Sequence, residues 1–179
     1  VSGKFNKGNK EGEWLSYYDN GQLKSVGNYK DGKRDGLWEK YEKGHLTGIY
    51  NYKDGKKDGL HESYFFSGEI FLSENWKDGI PHGLFEGYFP NGQLESRMTF
   101  INGKLDGLME VYTMEGFPFL KVNHKDGLNH GLYEKYYENG NLHLKGNKKN
   151  GKRIGLWTWY YSNGNLERTG TYKDGELIE

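Results

Sequence analysis

The stretch Tyr29-Lys30-Asp31-Gly32-Lys33-Arg34-Asp35-Gly36-Leu37-Trp38-Glu39-Lys40-Tyr41 decides the fold. Asp31-Gly32 is a turn signal, because Asp and Gly tolerate the positive φ that a two-residue hairpin loop needs. The residues that follow have strand length, and no window shows the 3.6-residue periodicity of a helix. The Gly-Leu-aromatic cluster at Gly36 returns as Gly83-Leu84-Phe85, Gly131-Leu132-Tyr133 and Gly155-Leu156-Trp157, with looser copies at Gly12, Gly59 and Gly107. Successive glycines of this set lie 24, 23, 24, 24, 24 and 24 residues apart. The repeat therefore runs through nearly the whole chain.

Each period carries a second turn signal, best preserved at Asn20-Gly21, Asn91-Gly92, Asn139-Gly140 and Asn163-Gly164. Two turns per period mean two strands per period. The spacing predicts an all-β fold, an elongated single-layer antiparallel β-meander of stacked hairpins with about seven 24-residue repeats. Residues 1–179 form a single domain on this reading. About fourteen strands at roughly 4.8 Å spacing give a sheet on the order of 65 Å long.

Composition agrees. The 179 residues include 28 Gly and only 3 Pro, with 34 % hydrophobic and 16 % aromatic residues, too little apolar material for a thick two-layer core. The 25 basic and 25 acidic residues cancel, which argues against a general nucleic-acid partner, since phosphate neutralisation needs a basic surplus. The lack of Cys removes disulfides, zinc–thiolate sites and thiol nucleophiles. No apolar run approaches the ~18 residues of a membrane-spanning helix. The chain starts at Val1 rather than Met, so a trimmed N-terminus is expected. Localisation stays open between the cytoplasm and a bacterial cell envelope or secreted location.

Aligned periods separate constant columns from variable ones. Tyr17, Tyr41, Tyr64, Tyr88, Tyr112, Tyr136 and Tyr160 form an unbroken tyrosine column, read as structural, with each ring packing on its copy in the next hairpin. Leu37, Leu60, Leu84, Leu108, Leu132 and Leu156 lie on the same strand face. A further aromatic column holds Phe5, Tyr29, Tyr52, Trp76, Phe100 and Tyr172. On the opposite face, Trp14, Trp38, His61, Phe85, Met109, Tyr133 and Trp157 vary from period to period, with Trp159 two residues beyond the last. Two readings of this stripe stand side by side. It is a partner-binding platform, because aromatic side chains dominate interface energetics; or its rings cover one side of a sheet with no second layer. Two periods depart from the pattern: the loop at Tyr41-Glu42-Lys43-Gly44 is one residue short, and Pro118 replaces a leucine, where a bulge or distorted strand is expected.

No catalytic constellation emerges. The histidines 45, 61, 82, 124, 130 and 143 have no metal-ligand spacing, and His82 and His130 share a turn column with Asp35, Asp58 and Asp106. Glu39, Glu62, Glu86, Glu110 and Glu134 sit two ladder steps apart, roughly 9–10 Å, too far for a shared proton. The expectation is no enzyme, no cofactor and no metal.

The segments Tyr136-Tyr137-Glu138-Asn139-Gly140-Asn141-Leu142 and Tyr29 to Trp38 resemble the MORN repeat, and more closely its bacterial variant of the YYxNGxL…DGxxxGLW type. The resemblance implies a single curved sheet used for protein–protein contact, self-association or, in some eukaryotic members, phospholipid binding. Certain bacterial relatives carry an antitoxin label, which implies neutralising a partner protein. The leading expectation is a non-catalytic scaffold that meets a protein partner through the aromatic stripe or a sheet edge. Alternatives are glycan stacking on Trp14, Trp38, Trp157 and Trp159, and anionic phospholipid at the basic turn rim of Lys30, Lys33, Arg34, Lys53, Lys56, Lys57, Lys149, Lys152 and Arg153. Bare strand edges make self-association a further expectation.

Overall fold

The computed structural model describes residues 1–179. Its contacts group into two units, Val1–Gly83 and Leu84–Glu179. The first contains β1 (Ser2–Asn6), β2 (Asn9–Tyr17), β3 (Leu23–Lys30), β4 (Lys33–Glu42), β5 (His45–Lys53), β6 (Lys56–Tyr64), β7 (Ile70–Lys77) and the start of β8 (Ile80–Tyr88). The second holds the rest of β8, then β9 (Leu94–Ile101), β10 (Lys104–Leu105), β11 (Gly107–Tyr112), β12 (Pro118–Lys125) and β13 (Leu128–Tyr136). It ends with β14 (Leu142–Lys149), β15 (Lys152–Tyr160), β16 (Leu166–Lys173) and β17 (Glu176–Leu177). There are no helices, and the strands join into one 17-stranded antiparallel sheet. The count exceeds fourteen because β1 and β17 flank the full hairpins and β10 and β11 are one strand interrupted at Asp106.

The two turn signals fold differently. Asp31, Asp54, Asp78, Asn102, Asp126, Asn150 and Asp174 all have φ near +50, and each precedes a glycine of positive φ. These are two-residue loops whose positive φ at both centres matches strand twist. The Asn-Gly loops are three residues long: Tyr18 N–H donates to Gln22 O and Gly21 N–H to Tyr18 O, with only Gly21 left-handed. Deleting one residue at Glu42-Lys43-Gly44-His45 converts that loop into the two-residue kind and forces Lys43 to φ +49.

The period-defining glycine has a backbone reason. Gly36 has φ +76, and the register slips there, since β3 meets β4 as Gly27↔Trp38 and then Asn28↔Asp35. Left-handed backbone at a bulge selects glycine. An asparagine closes the gap: Asn51 Nδ2 donates to Leu60 O at 2.5 Å, and Asn75 and Asn123 pack against Gly83 and Gly131.

Pro118 does not distort β12. It opens the strand opposite Tyr112, where the register shifts, and the same shift occurs at Ser16/Tyr17, Lys40/Tyr41 and Lys135/Tyr136. The proline occupies a bulge that its neighbours also have, where its missing donor is tolerated.

Candidate functional site

The variable stripe forms an interior layer. Trp14, Trp38, Phe85, Trp157 and Trp159 are 7, 5, 9, 0 and 5 % exposed, and His61 is 1 % exposed. Met109 and Tyr133 are half-buried. In the first unit this stripe and the neighbouring aromatic column fuse into a relay of mostly edge-to-face contacts. Phe5–Trp14 centroids lie 5.0 Å apart, Trp14–Tyr29 5.8 Å, Tyr29–Trp38 5.1 Å and Trp38–Tyr52 6.4 Å. His61 continues it to Tyr52 at 5.6 Å and Trp76 at 6.2 Å. In the second unit Trp157 meets Tyr133, Trp159 and Tyr172 within 6.3 Å. Such ring pairs contribute ~0.5–1.5 kcal/mol beyond area burial. The sheet has one layer of backbone, and the rings serve as its second.

Variation along the stripe follows the residue facing it. Gly27 is the cross-strand neighbour of Trp38, and a Cβ built there would lie 2.3 Å from Trp38 Cδ2. Gly3 stands the same way beneath Trp14 and Gly146 beneath Trp157, again at 2.3 Å. Where the facing residue is larger the ring is smaller: Tyr50 faces His61 and Val122 faces Tyr133. Each of these five pairs lies 11 residues apart in sequence. That covariation was visible without a structure and was the missed signal. It explains the variability as volume compensation within the layer.

The ring nitrogens are also committed. Trp14, Trp38 and Trp157 Nε1 donate to the carbonyls of Lys4, Asn28 and Asn147 at 3.2, 3.0 and 3.2 Å. His61 Nε2 makes the equivalent bond to Asn51 O at 2.6 Å, so it carries the proton. Its Nδ1 is buried without a partner, and burial lowers its pKa below the ordinary 6.5.

Cations cap the layer. In the first unit Lys10 Nζ lies 4.5 Å from the Trp14 ring, Arg34 4.5 Å from Trp38, and Lys57 Nζ 4.0 Å from Trp76. Arg34 Nη1 also donates to Tyr52 Oη at 3.1 Å. In the second unit Arg153 sits 4.6 Å over Trp157, Arg168 3.9 Å over Trp159 and Lys148 4.5 Å over Tyr133. What this face presents outward is therefore guanidinium and ammonium charge over rings.

On the opposite face the first strand of each hairpin repeats, while the second carries Val26, Ile49, Ser73, Arg97 and Lys121 across from the glutamates. Its leucines stay in solvent, with Leu37, Leu60, Leu84, Leu108, Leu132 and Leu156 between 39 and 60 % exposed. The tyrosine column is braced within each strand: Tyr41, Tyr64, Tyr88, Tyr112 and Tyr136 hydroxyls donate to the glutamate two residues earlier at 2.5–2.9 Å. Desolvation, then the bond to Glu62, pushes the Tyr64 phenol up to about 12. Glu86 and Glu110 also pair with Arg97 at 2.7 Å and Lys121 at 3.2 Å. The turn column serves as staples: Asp58 and Asp106 carboxylates accept from Asp78 and Asp126 N–H, and His130 Nδ1 meets Asn150 Oδ1.

The sequence model of one repeat family, described as the MORN repeat variant, matches residues 10–31, 81–102, 129–150 and 153–174. The segment between the first two matches contains the shortened loop, Gly48, Tyr50 and His61. MORN repeats are commonly scaffolds for protein or membrane interaction. A comparison with curated proteins finds no match.

Proposed function

This chain is built from MORN-variant repeats, and on that premise we propose that it is a non-catalytic scaffold which captures a protein partner on its cation-capped aromatic face. One observation carries the reading. The column that lies over the rings reads Lys10, Arg34, Lys57, Pro81, Leu105, Asn129 and Arg153, so the outward surface of this face changes from period to period, with cations stacked on Trp14, Trp38, Trp76 and Trp157. A surface repeated identically in every period holds little information about a partner, and a surface that differs does. The buried rings make the face stiff and hold its cations in place, which lowers the ordering cost of association. Neutralisation of the captured protein, as an antitoxin would act, is the specific form proposed. Sugar stacking fits less well, because Lys10, Arg34 and Arg153 already occupy the faces of Trp14, Trp38 and Trp157.

The test is affinity capture from the native source with the intact chain and two variants. The expected result is a stoichiometric protein lost with Arg34→Glu/Arg153→Glu, retained with Leu37→Ser/Leu132→Ser, and inhibited on mixing. A partner lost with the leucine variant and kept with the arginine variant would place the site on the other face.

A further inference from the structure

The first unit holds a cavity of about 280 Å³ on the aromatic face, walled by Ser25, Arg34, Trp38, Lys40, Tyr50 and Tyr52. Departures from the repeat make it. One ladder row runs Ser16↔Ser25↔Lys40↔Gly48↔Ser63, so small residues flank Lys40 on both sides. The next row runs Gly27↔Trp38↔Tyr50↔His61. Beside Trp14, Trp38 and Trp157 glycine sits in the ring row, as Gly3, Gly27 and Gly146. Here Tyr50 takes that place and glycine moves two residues earlier, to Gly48. Tyr50 leans over Gly48, where a Cβ would lie 2.2 Å from its hydroxyl, and that hydroxyl reaches Ser63 Oγ at 3.2 Å. The result is an aromatic-walled depression.

Charge decides the occupant. On this face the first unit carries Lys10, Arg34, Lys40 and Lys57. The two rows contain one carboxylate, Glu74 opposite His61, held 3.8 Å from Lys57 and 3.2 Å from Trp76 Nε1. Glu39 borders the cavity, with its carboxylate engaged by the Tyr41 hydroxyl. Arg34 is fixed by Trp38 and Tyr52, while Lys40 is exposed. In a neutral chain, this concentrates positive charge around one apolar depression.

Resting on the scaffold reading, we infer that this cavity is a docking pocket for an acidic segment of a partner protein. One apolar side chain enters between Trp38 and Tyr50, and flanking carboxylates meet Arg34 and Lys40. Arg34 suits a planar carboxylate because its guanidinium presents two parallel donors. A charge surplus of this kind raises encounter rate and selects the partner's sign.

The experiment is fluorescence anisotropy of the intact chain with a short labelled peptide of Asp and Glu carrying one central Leu. Saturable binding that weakens with salt is expected, and Lys40→Glu is expected to lower affinity at least about tenfold, the effect of ~1.4 kcal/mol. Lys40 caps no ring, so this variant should fold; Ser25→Tyr, which fills the cavity, is the second variant, and circular dichroism checks both. A peptide with Glu in place of its Leu should bind more weakly. Absence of peptide binding, equal binding to Lys40→Glu and Ser25→Tyr, or indifference to the Leu each overturns the pocket. Flotation on phosphatidylserine vesicles with no peptide binding overturns it in favour of a membrane. A captured native partner that ignores Lys40→Glu and Ser25→Tyr overturns the pocket while leaving the scaffold reading intact.

Discussion

At the residue scale, the molecule turns on a pairing between glycine and indole. Trp38 lies flat on Gly27 and donates its N–H to Asn28 O, an arrangement possible only where the facing strand has no Cβ. Gly27→Ala is expected to lower stability by about 1–3 kcal/mol through overpacking. Gly27→Ala combined with Trp38→His should cost less than the sum of the single changes, because the smaller ring makes room. A double-mutant cycle by urea unfolding measures this, and strict additivity would contradict the pairing. His61 adds a pH signature. Its folded-state pKa lies below the ordinary 6.5, chiefly through burial and also through Lys57, with Glu74 and the Asn51 carbonyl acting the other way. The unfolded chain therefore takes up this proton first as pH falls. Stability from neutral His61 is complete above 6.5 and is lost as pH falls through that value towards the folded one. The urea midpoint of the native chain should fall more steeply between neutral and mildly acidic pH than that of His61→Phe.

At the element scale, each hairpin is specified by its turn. Asp or Asn followed by Gly was enough to place the two-residue loops, because positive φ is a local backbone demand that few residues meet. The Asn-Gly loops looked alike in sequence yet have three residues, since only their glycine is left-handed. Lys43, like Lys7, is an informative exception, a lysine at φ +49 where the other turns of its kind hold Asp or Asn. Lys43→Asn is expected to raise stability by about 0.5–1 kcal/mol, read as a shift in thermal midpoint. No gain would mean that the shortened loop is held by contacts other than its own backbone. Pro118 was legible in part: a proline in a strand suggests a bulge or a distortion, the register shows the bulge, and only the ladder reveals that neighbouring hairpins have it too.

At the scale of the whole molecule, the period and the all-β meander were legible because turn chemistry and strand length repeat together. The role of each face was not. The variable stripe allowed two readings, a partner platform or a ring layer covering one side of the sheet. The rings are buried and the constant leucines exposed, because a ring's size answers to the residue 11 positions before it rather than to its own column. Stacked hairpins contact mainly their neighbours, so damage should stay local. Gly27→Ala is expected to speed amide exchange in β2 to β5 and leave β13 to β16 unchanged; uniform acceleration would contradict nearest-neighbour stability. The central claim is that the aromatic stripe is a closed, cation-capped layer whose outward surface is charge. Indole N–H exchange followed by NMR tests it most directly. Protected resonances for Trp14, Trp38 and Trp157 are the predicted result, and exchange of all three at the rate of free indole would contradict it.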